Sequence, residues 1–104
     1  MRYLYVDENS TFIPLGRVGE NNALCVAFKK FKDFEGGTYS LVCNSSSPTI
    51  TEGEEYVNWI VTSEDTATAG DGRCQLVYTG EDFIAKSPVY RTEVYESLQS
   101  SDTP

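Results

Sequence analysis

Residues able to do chemistry are few in this chain, and the first of them are paired carboxylates. Asp7-Glu8, Glu54-Glu55, Glu64-Asp65 and Glu81-Asp82 each set two acids side by side. Two carboxylates flanking a glycosidic bond are the machinery of a glycosidase. All four pairs, however, lie in polar stretches between apolar segments, where acidic and small polar residues favour turns for backbone reasons. They read as turn residues. Histidine, the commonest acid–base catalyst at neutral pH, is absent from the 104 residues. Cys25, Cys43 and Cys74 have no candidate base and no Cys-x-x-Cys spacing, which argues against a nucleophile and against zinc. A secreted, disulfide-dependent domain usually shows an even cysteine count. Reduced, half-buried thiols are the expectation, with one intrachain bridge plus a spare thiol as the alternative. Calcium at Asp7-Glu8-Asn9 needs only clustered oxygens, but no calcium-loop signature surrounds it. Gly70-x-Gly72 runs into a strand pattern instead of a helix, so it is no phosphate loop. The expectation is a protein that is not an enzyme and uses no cofactor or metal.

Charge narrows the partners. Sixteen acidic side chains against eight basic ones give a net charge of −8. Binding a phosphate backbone depends on Lys and Arg displacing condensed counterions, so neither nucleic acid nor an anionic membrane is expected. Lys29, Lys30 and Lys32 with Phe28 and Phe31 have the composition of a stacking platform. Asp33 and Glu35 follow at once, and solvated lysines at a strand end are the simpler reading. No apolar run approaches the ~20 residues that span a bilayer. The opening Met-Arg-Tyr-Leu-Tyr-Val-Asp-Glu lacks the apolar core of a signal peptide, so synthesis in the cytoplasm is expected.

Aromatic residues weigh differently. Seven tyrosines and five phenylalanines exceed what one small core needs. Tyr3 and Tyr5 share one face of a strand, Tyr90 and Thr92 share another, and Tyr95 lies close by. Exposed tyrosines mark interfaces because they supply area at low entropic cost and keep a polar tip. Tyr3, Tyr5, Tyr90 and Tyr95 are therefore the candidate partner-binding residues, with peripheral core packing as the alternative role.

Period-two alternation positions all of these groups, and no long helical pattern appears. Strands are predicted at Tyr3–Val6, Phe12–Leu15, Ala23–Phe28, Thr38–Cys43, Thr49–Thr51, Tyr56–Thr62, Arg73–Thr79 and Phe83–Tyr95. Gly16 and Gly19 signal a loop or bulge. Phe31–Gly37 is ambiguous and compatible with a single helical turn. Asn44–Pro48 is a polar loop, and Glu52-Gly53-Glu54-Glu55 a hairpin turn. Ser63 is placed as a cap for one turn through Thr66 and Ala67. Pro88 cannot donate to a central ladder, so the last strand needs an edge position or a bulge. Trp59 is the expected centre of the core. Seven to eight strands with turns every 8–12 residues predict an all-β fold, an antiparallel immunoglobulin-like β-sandwich, with a small barrel as runner-up. One domain covers residues 1–97, and 98–104 read as a polar tail or linker. Asp65-x-Ala67 before the Cys74 strand is similar to the corner of immunoglobulin domains. Gly72 stands where their tyrosine is expected, and Trp59 is too far from Cys25, so the likeness is architectural.

Four pieces carry a resemblance to a known family. They are Tyr3-Leu4-Tyr5-Val6-Asp7-Glu8, the run from Ile13 to Glu20, the strand Gly37-Thr38-Tyr39-Ser40-Leu41-Val42, and Trp59 through Tyr78 closed by Lys86-Ser87. Together they resemble the N-terminal domain of prophage tail or baseplate fibre proteins of Gram-positive bacteria, similar to upper baseplate proteins. The resemblance implies a non-enzymatic structural protein of the virion that docks a fibre to the tail or baseplate. It implies other tail or baseplate proteins as partners, and a homo-oligomer, a trimer where a stalk follows. A carbohydrate-binding or adhesin-type module recognising host cell-wall glycans is the alternative function, and a glycoside-cleaving enzyme a distant third.

Overall fold

The computed structural model describes residues 1–44 and 47–98. Among them are nine strands and no helix: β1 (Arg2–Val6), β2 (Phe12–Arg17), β3 (Leu24–Lys29), β4 (Thr38–Cys43), β5 (Thr51–Glu52), β6 (Tyr56–Ile60), β7 (Gly70–Thr79), β8 (Ile84–Lys86) and β9 (Tyr90–Tyr95). They form two sheets, ordered β1-β3-β6-β5 and β2-β9-β7-β4, with β8 pairing to β7. The β3/β6 and β4/β7/β9 groupings match the B/E and C/F/G order of immunoglobulin sandwiches. The inner pairings are antiparallel, and the pairs β1/β3 and β2/β9 are parallel.

Alternation builds the layers. Leu24, Val26 and Phe28 of β3 with Val57 and Trp59 of β6 face Ile13, Leu41, Leu76 and Tyr78 of the second sheet, all in one buried cluster. Trp59, Tyr78 and Phe28 are its largest fully buried side chains. Burying each such large apolar side chain stabilises the fold by roughly 1.5–3 kcal/mol. The predicted core centre at Trp59 is therefore where the sheets meet.

Two turns explain the path. After β1, the Ser10 amide donates to the Asp7 carbonyl at 3.1 Å, and the Asn9 amide donates to Asp7 Oδ1 at 2.8 Å. That turn sends β2 back, but into the other sheet. After β6, Thr62 and Asp65 make the cap that Ser63 was expected to make. The Thr62 amide and hydroxyl donate to Asp65 Oδ2 at 2.8 and 3.0 Å, and the Thr66 amide donates to the Thr62 carbonyl at 3.2 Å. Thr66, fully buried, donates from Oγ1 to the Glu20 carbonyl at 2.8 Å, tying this corner to the loop after β2.

The last predicted strand is interrupted, as Pro88 requires. Lys86 pairs with Val77 and Tyr90 with Cys74, so three residues, 87–89, oppose two, 75–76. This is a β-bulge. The Ser87 hydroxyl accepts from the Leu76 amide at 3.0 Å and donates to the Pro88 carbonyl at 2.8 Å. A second irregularity falls between Pro14 and Gly16, where Gly16 has φ 117°. Of the predicted tail, only Leu98 is among the described residues, and Ser45 and Ser46 of the loop after β4 also lie outside them.

Candidate functional site

The outer face of the first sheet carries the most exposed aromatic surface. On β1 the even positions Leu4 and Val6 point toward the core, so Tyr3 and Tyr5 point out. They are 60% and 62% exposed. Their rings lie within 18° of parallel, with centroids 6.4 Å apart. In register with them on β3 stand Cys25 and Ala27, small residues that nevertheless are buried. No further layer covers them among the described residues. Instead Tyr5 and Tyr56, on strands either side of β3, meet edge to face at 5.2 Å, and Lys29 Nζ lies 5.1 Å from the Tyr56 ring centroid. Ile60, 43% exposed, continues the face along β6. Beneath this cover the Cys25 thiol donates to Asn58 Oδ1 at 3.8 Å, and burial pushes its pKa up.

The four tyrosines expected to share a partner surface do not lie together. Tyr90 is a core residue, 2% exposed. Its ring tilts against Phe28 with centroids 5.9 Å apart, and its hydroxyl donates to the Asp7 carbonyl at 3.0 Å. The bulge at 87–89 places it there, because one inserted residue exchanges inward and outward positions downstream. Tyr95 is on the outer face of the second sheet, with the Arg17 guanidinium 5.9 Å from its ring centroid. Only Tyr3 and Tyr5 remain as one surface, and Tyr56 and Ile60 join them. Tyr56 was visible in the alternation of its strand. What was missing was the neighbour relation of β1, β3 and β6.

Other aromatics close one end of the sandwich. Phe31, Phe34, Tyr39, Tyr78 and Phe83 are linked by ring contacts of 4.9 to 6.1 Å. Tyr39 and Tyr78 hydroxyls accept the amides of Phe31 and Gly37 at 2.8 and 2.7 Å, which holds Phe31–Gly37 in turns instead of a helix. Beside this cluster Lys29, Lys30, Lys32 and Lys86 line a cleft of about 350 Å³ with Phe31 and Phe34. Its charge is offset: Lys30 bridges Glu52 at 3.4 Å, Lys29 lies 4.0 Å from Glu55, and Asp7 and Glu8 form another wall.

A second cleft, about 370 Å³, opens at the opposite end between Trp59, Asp65, Cys43, Gly72 and Thr92. Glu64 and Asp65 reach it, but the Asp65 carboxylate is occupied, accepting from Thr62 and from Trp59 Nε1 at 3.2 Å. Likewise the Asp7 carboxylate is used by its own turn. Cys43 and Cys74 sit opposite one another on β4 and β7, and no disulfide joins them. The Cys43 thiol hydrogen-bonds the Cys74 sulfur, which holds Cys74 below the usual thiol range and, with burial, raises Cys43. Among the described residues, no group of three or more Cys, Asp or Glu is arranged to hold a metal and no helix is long and apolar enough to cross a membrane. No family model matches the chain, and no curated protein matches it.

Proposed function

We propose that this chain is a structural docking module of a phage or prophage virion, joining a tail or baseplate fibre to the particle through the outer face of β1. The observation that carries the reading is the pair Tyr3 and Tyr5, more than half exposed on a regular strand and backed by Tyr56 and Ile60. Tyrosine offers a rigid, amphipathic contact area at low entropic cost, and a contiguous aromatic patch on an otherwise acidic surface suits a protein partner. The segments shared in style with baseplate fibre proteins support the same role, with other tail or baseplate proteins as partners and the virion as the location. In this reading the protein performs no catalysis.

The test replaces Tyr3 and Tyr5 together by Ser in the full protein. Co-assembly into particles is lost while the melting transition of the purified variant is retained; unchanged incorporation removes the assignment. The near-parallel Tyr3 and Tyr5 rings also favour a second reading, glycan recognition by ring stacking. Saturable quenching of tyrosine emission by cell-wall polysaccharide, abolished by the same double substitution, would select that reading instead.

A further inference from the structure

Strands at sheet edges leave amides and carbonyls without partners, and proteins blunt such edges with short strands, prolines and bulges. Among the described residues five strands are edges, and three are visibly blunted. β5 has two residues and β8 has three. β2 carries Pro14, which has no N–H, and an irregular register between Pro14 and Gly16. β4 is open, and in its outward row of Thr38, Ser40 and Val42 only Val42 is a large exposed apolar side chain, with no aromatic beside it. β1 has five residues, no proline, no lysine and an unbroken register with β3.

The phase of β1 decides which groups are open. The Arg2 amide donates to the Ala23 carbonyl at 2.9 Å, so Arg2, Leu4 and Val6 direct their backbone groups at β3. Those of Tyr3 and Tyr5 point away from the sheet. Asp7 is closed, because its amide donates to Ser10 Oγ at 3.1 Å and its carbonyl accepts from the Ser10 amide and the Tyr90 hydroxyl. The open edge is two donors and two acceptors, all on Tyr3 and Tyr5.

We propose that β1 pairs antiparallel with β1 of a second copy of this chain, about a two-fold axis at Leu4. Tyr3 of each copy then faces Tyr5 of the other at the hydrogen-bonded positions, and every open group on both edges is used. Leu4 meets its counterpart at the non-hydrogen-bonded position, where side chains approach more closely. This half-buried leucine at the margin of the core gains cover. An axis at Tyr5 would require the closed groups of Asp7, and one at Tyr3 would require Met1, which is outside the strand. The register sets Arg2 opposite Val6, and Arg2 keeps its own ion pair with Glu20 at 3.4 Å. The contact is isologous and closes on itself. It deepens the docking reading, on which only the use of the enlarged face depends: the two outer faces become one sheet presenting Tyr3 and Tyr5 of both copies.

Sedimentation of the full chain over a concentration series gives twice the single-chain mass at the upper end, returning to single chains on dilution. Tyr3→Pro removes one outward amide without touching the ladder to β3, and sediments as single chains with its melting transition retained. Leu4→Cys is crosslinked by mild oxidation into a covalent dimer joined through position 4, found by peptide mapping, and this decides the matter if the proline variant does not fold. Single-chain mass at every concentration, a dimer that survives Tyr3→Pro, a larger oligomer, or absence of the position-4 crosslink overturns the proposal. An edge that stays single and captures an extended synthetic peptide overturns it too. None of these results reads particle assembly, so failure here leaves the docking reading to its own test.

Discussion

The Trp59 indole donates from Nε1 to Asp65 Oδ2 at 3.2 Å, and that same oxygen accepts both the amide and the hydroxyl of Thr62. One carboxylate oxygen thus caps the corner between β6 and β7 and satisfies the polar atom of the largest core side chain. Removing it separates two costs. Loss of the cap contributes about 1 kcal/mol, and a buried indole N–H left without an acceptor contributes about 1–3 kcal/mol more. Asp65→Ala therefore lowers stability by about 2–4 kcal/mol, whereas Asp65→Asn, which keeps an acceptor oxygen, loses less. Urea unfolding followed by the emission of the single tryptophan measures both. Equal losses for the two variants would show that the acceptor is not what Asp65 contributes.

This corner shows how far the sequence reaches. A polar run with Ser, Thr and Asp before a strand announced a capped turn, but placed the cap at Ser63, one residue late. Thr62 and Asp65 satisfy the same spacing, and local pattern does not distinguish them. The core was legible because Leu24, Val26 and Phe28, and Val57 and Trp59, alternate without interruption. Pro88 announced an interruption for a reason that holds in any fold, its missing amide. What it did not announce was the exchange of faces. Ala85 packs toward the core on β8, yet Tyr90, five residues on, also points inward, because the bulge adds one residue. The Asp7–Ser10 turn was equally plain, while its delivery of β2 to the second sheet was not. A hairpin within one sheet and a crossing between sheets share the same local pattern. For this reason Tyr3 and Tyr5 were found as a surface and Tyr90 was misplaced onto it.

Alkaline pH should expose the buried phenols. Burial is the main cause that raises Tyr90, with the nearby charges of Asp7 and Glu8 adding and the Ser87 hydrogen bond opposing. Tyr39 is raised by burial as well, against the hydrogen bond from the Phe31 amide. A phenol that is harder to ionise in the fold than in the unfolded chain holds more protons in the native state. Stability is then full below the ordinary value of 10.0 and falls as pH rises above it toward the raised native values. Tyr90→Phe removes one such group. Near neutrality the variant loses about 1 kcal/mol for the hydrogen bond to the Asp7 carbonyl, whose other donor, the Ser10 amide, remains. Above pH 10 its stability declines less steeply than that of the native protein. Midpoints of urea unfolding across this range give the two slopes. Parallel curves would show that Tyr90 does not contribute to the alkaline loss.

Cys43 and Cys74 provide a sharper contrast among chemically identical groups. The Asn44 amide donates to the Arg73 carbonyl at 2.9 Å, which places the neighbouring Cys43/Cys74 pair at a non-hydrogen-bonded position of the β4/β7 ladder. Such residues have Cα atoms about 4.5 Å apart, inside the range that a disulfide spans. Cys25 lies in the other sheet beneath Tyr3 and Tyr5, with its thiol pushed up by burial. With glutathione disulfide as oxidant, the thiolate of one member of the pair attacks its S–S bond and releases one glutathione thiol. The second member then displaces the other glutathione, leaving Cys43–Cys74 bonded and two glutathione molecules reduced. The product is lighter by two hydrogens, and peptide mapping finds positions 43 and 74 joined with Cys25 still open to alkylation in the denatured chain. In the chain-entropy picture the bond stabilises the fold by about 3–4 kcal/mol, read as a raised unfolding midpoint that a reductant reverses. Cys43→Ser blocks the reaction and Cys25→Ser does not. A bridge involving Cys25, or a stable mixed disulfide at Cys43 that never closes, would contradict the strand register that sets these two thiols face to face.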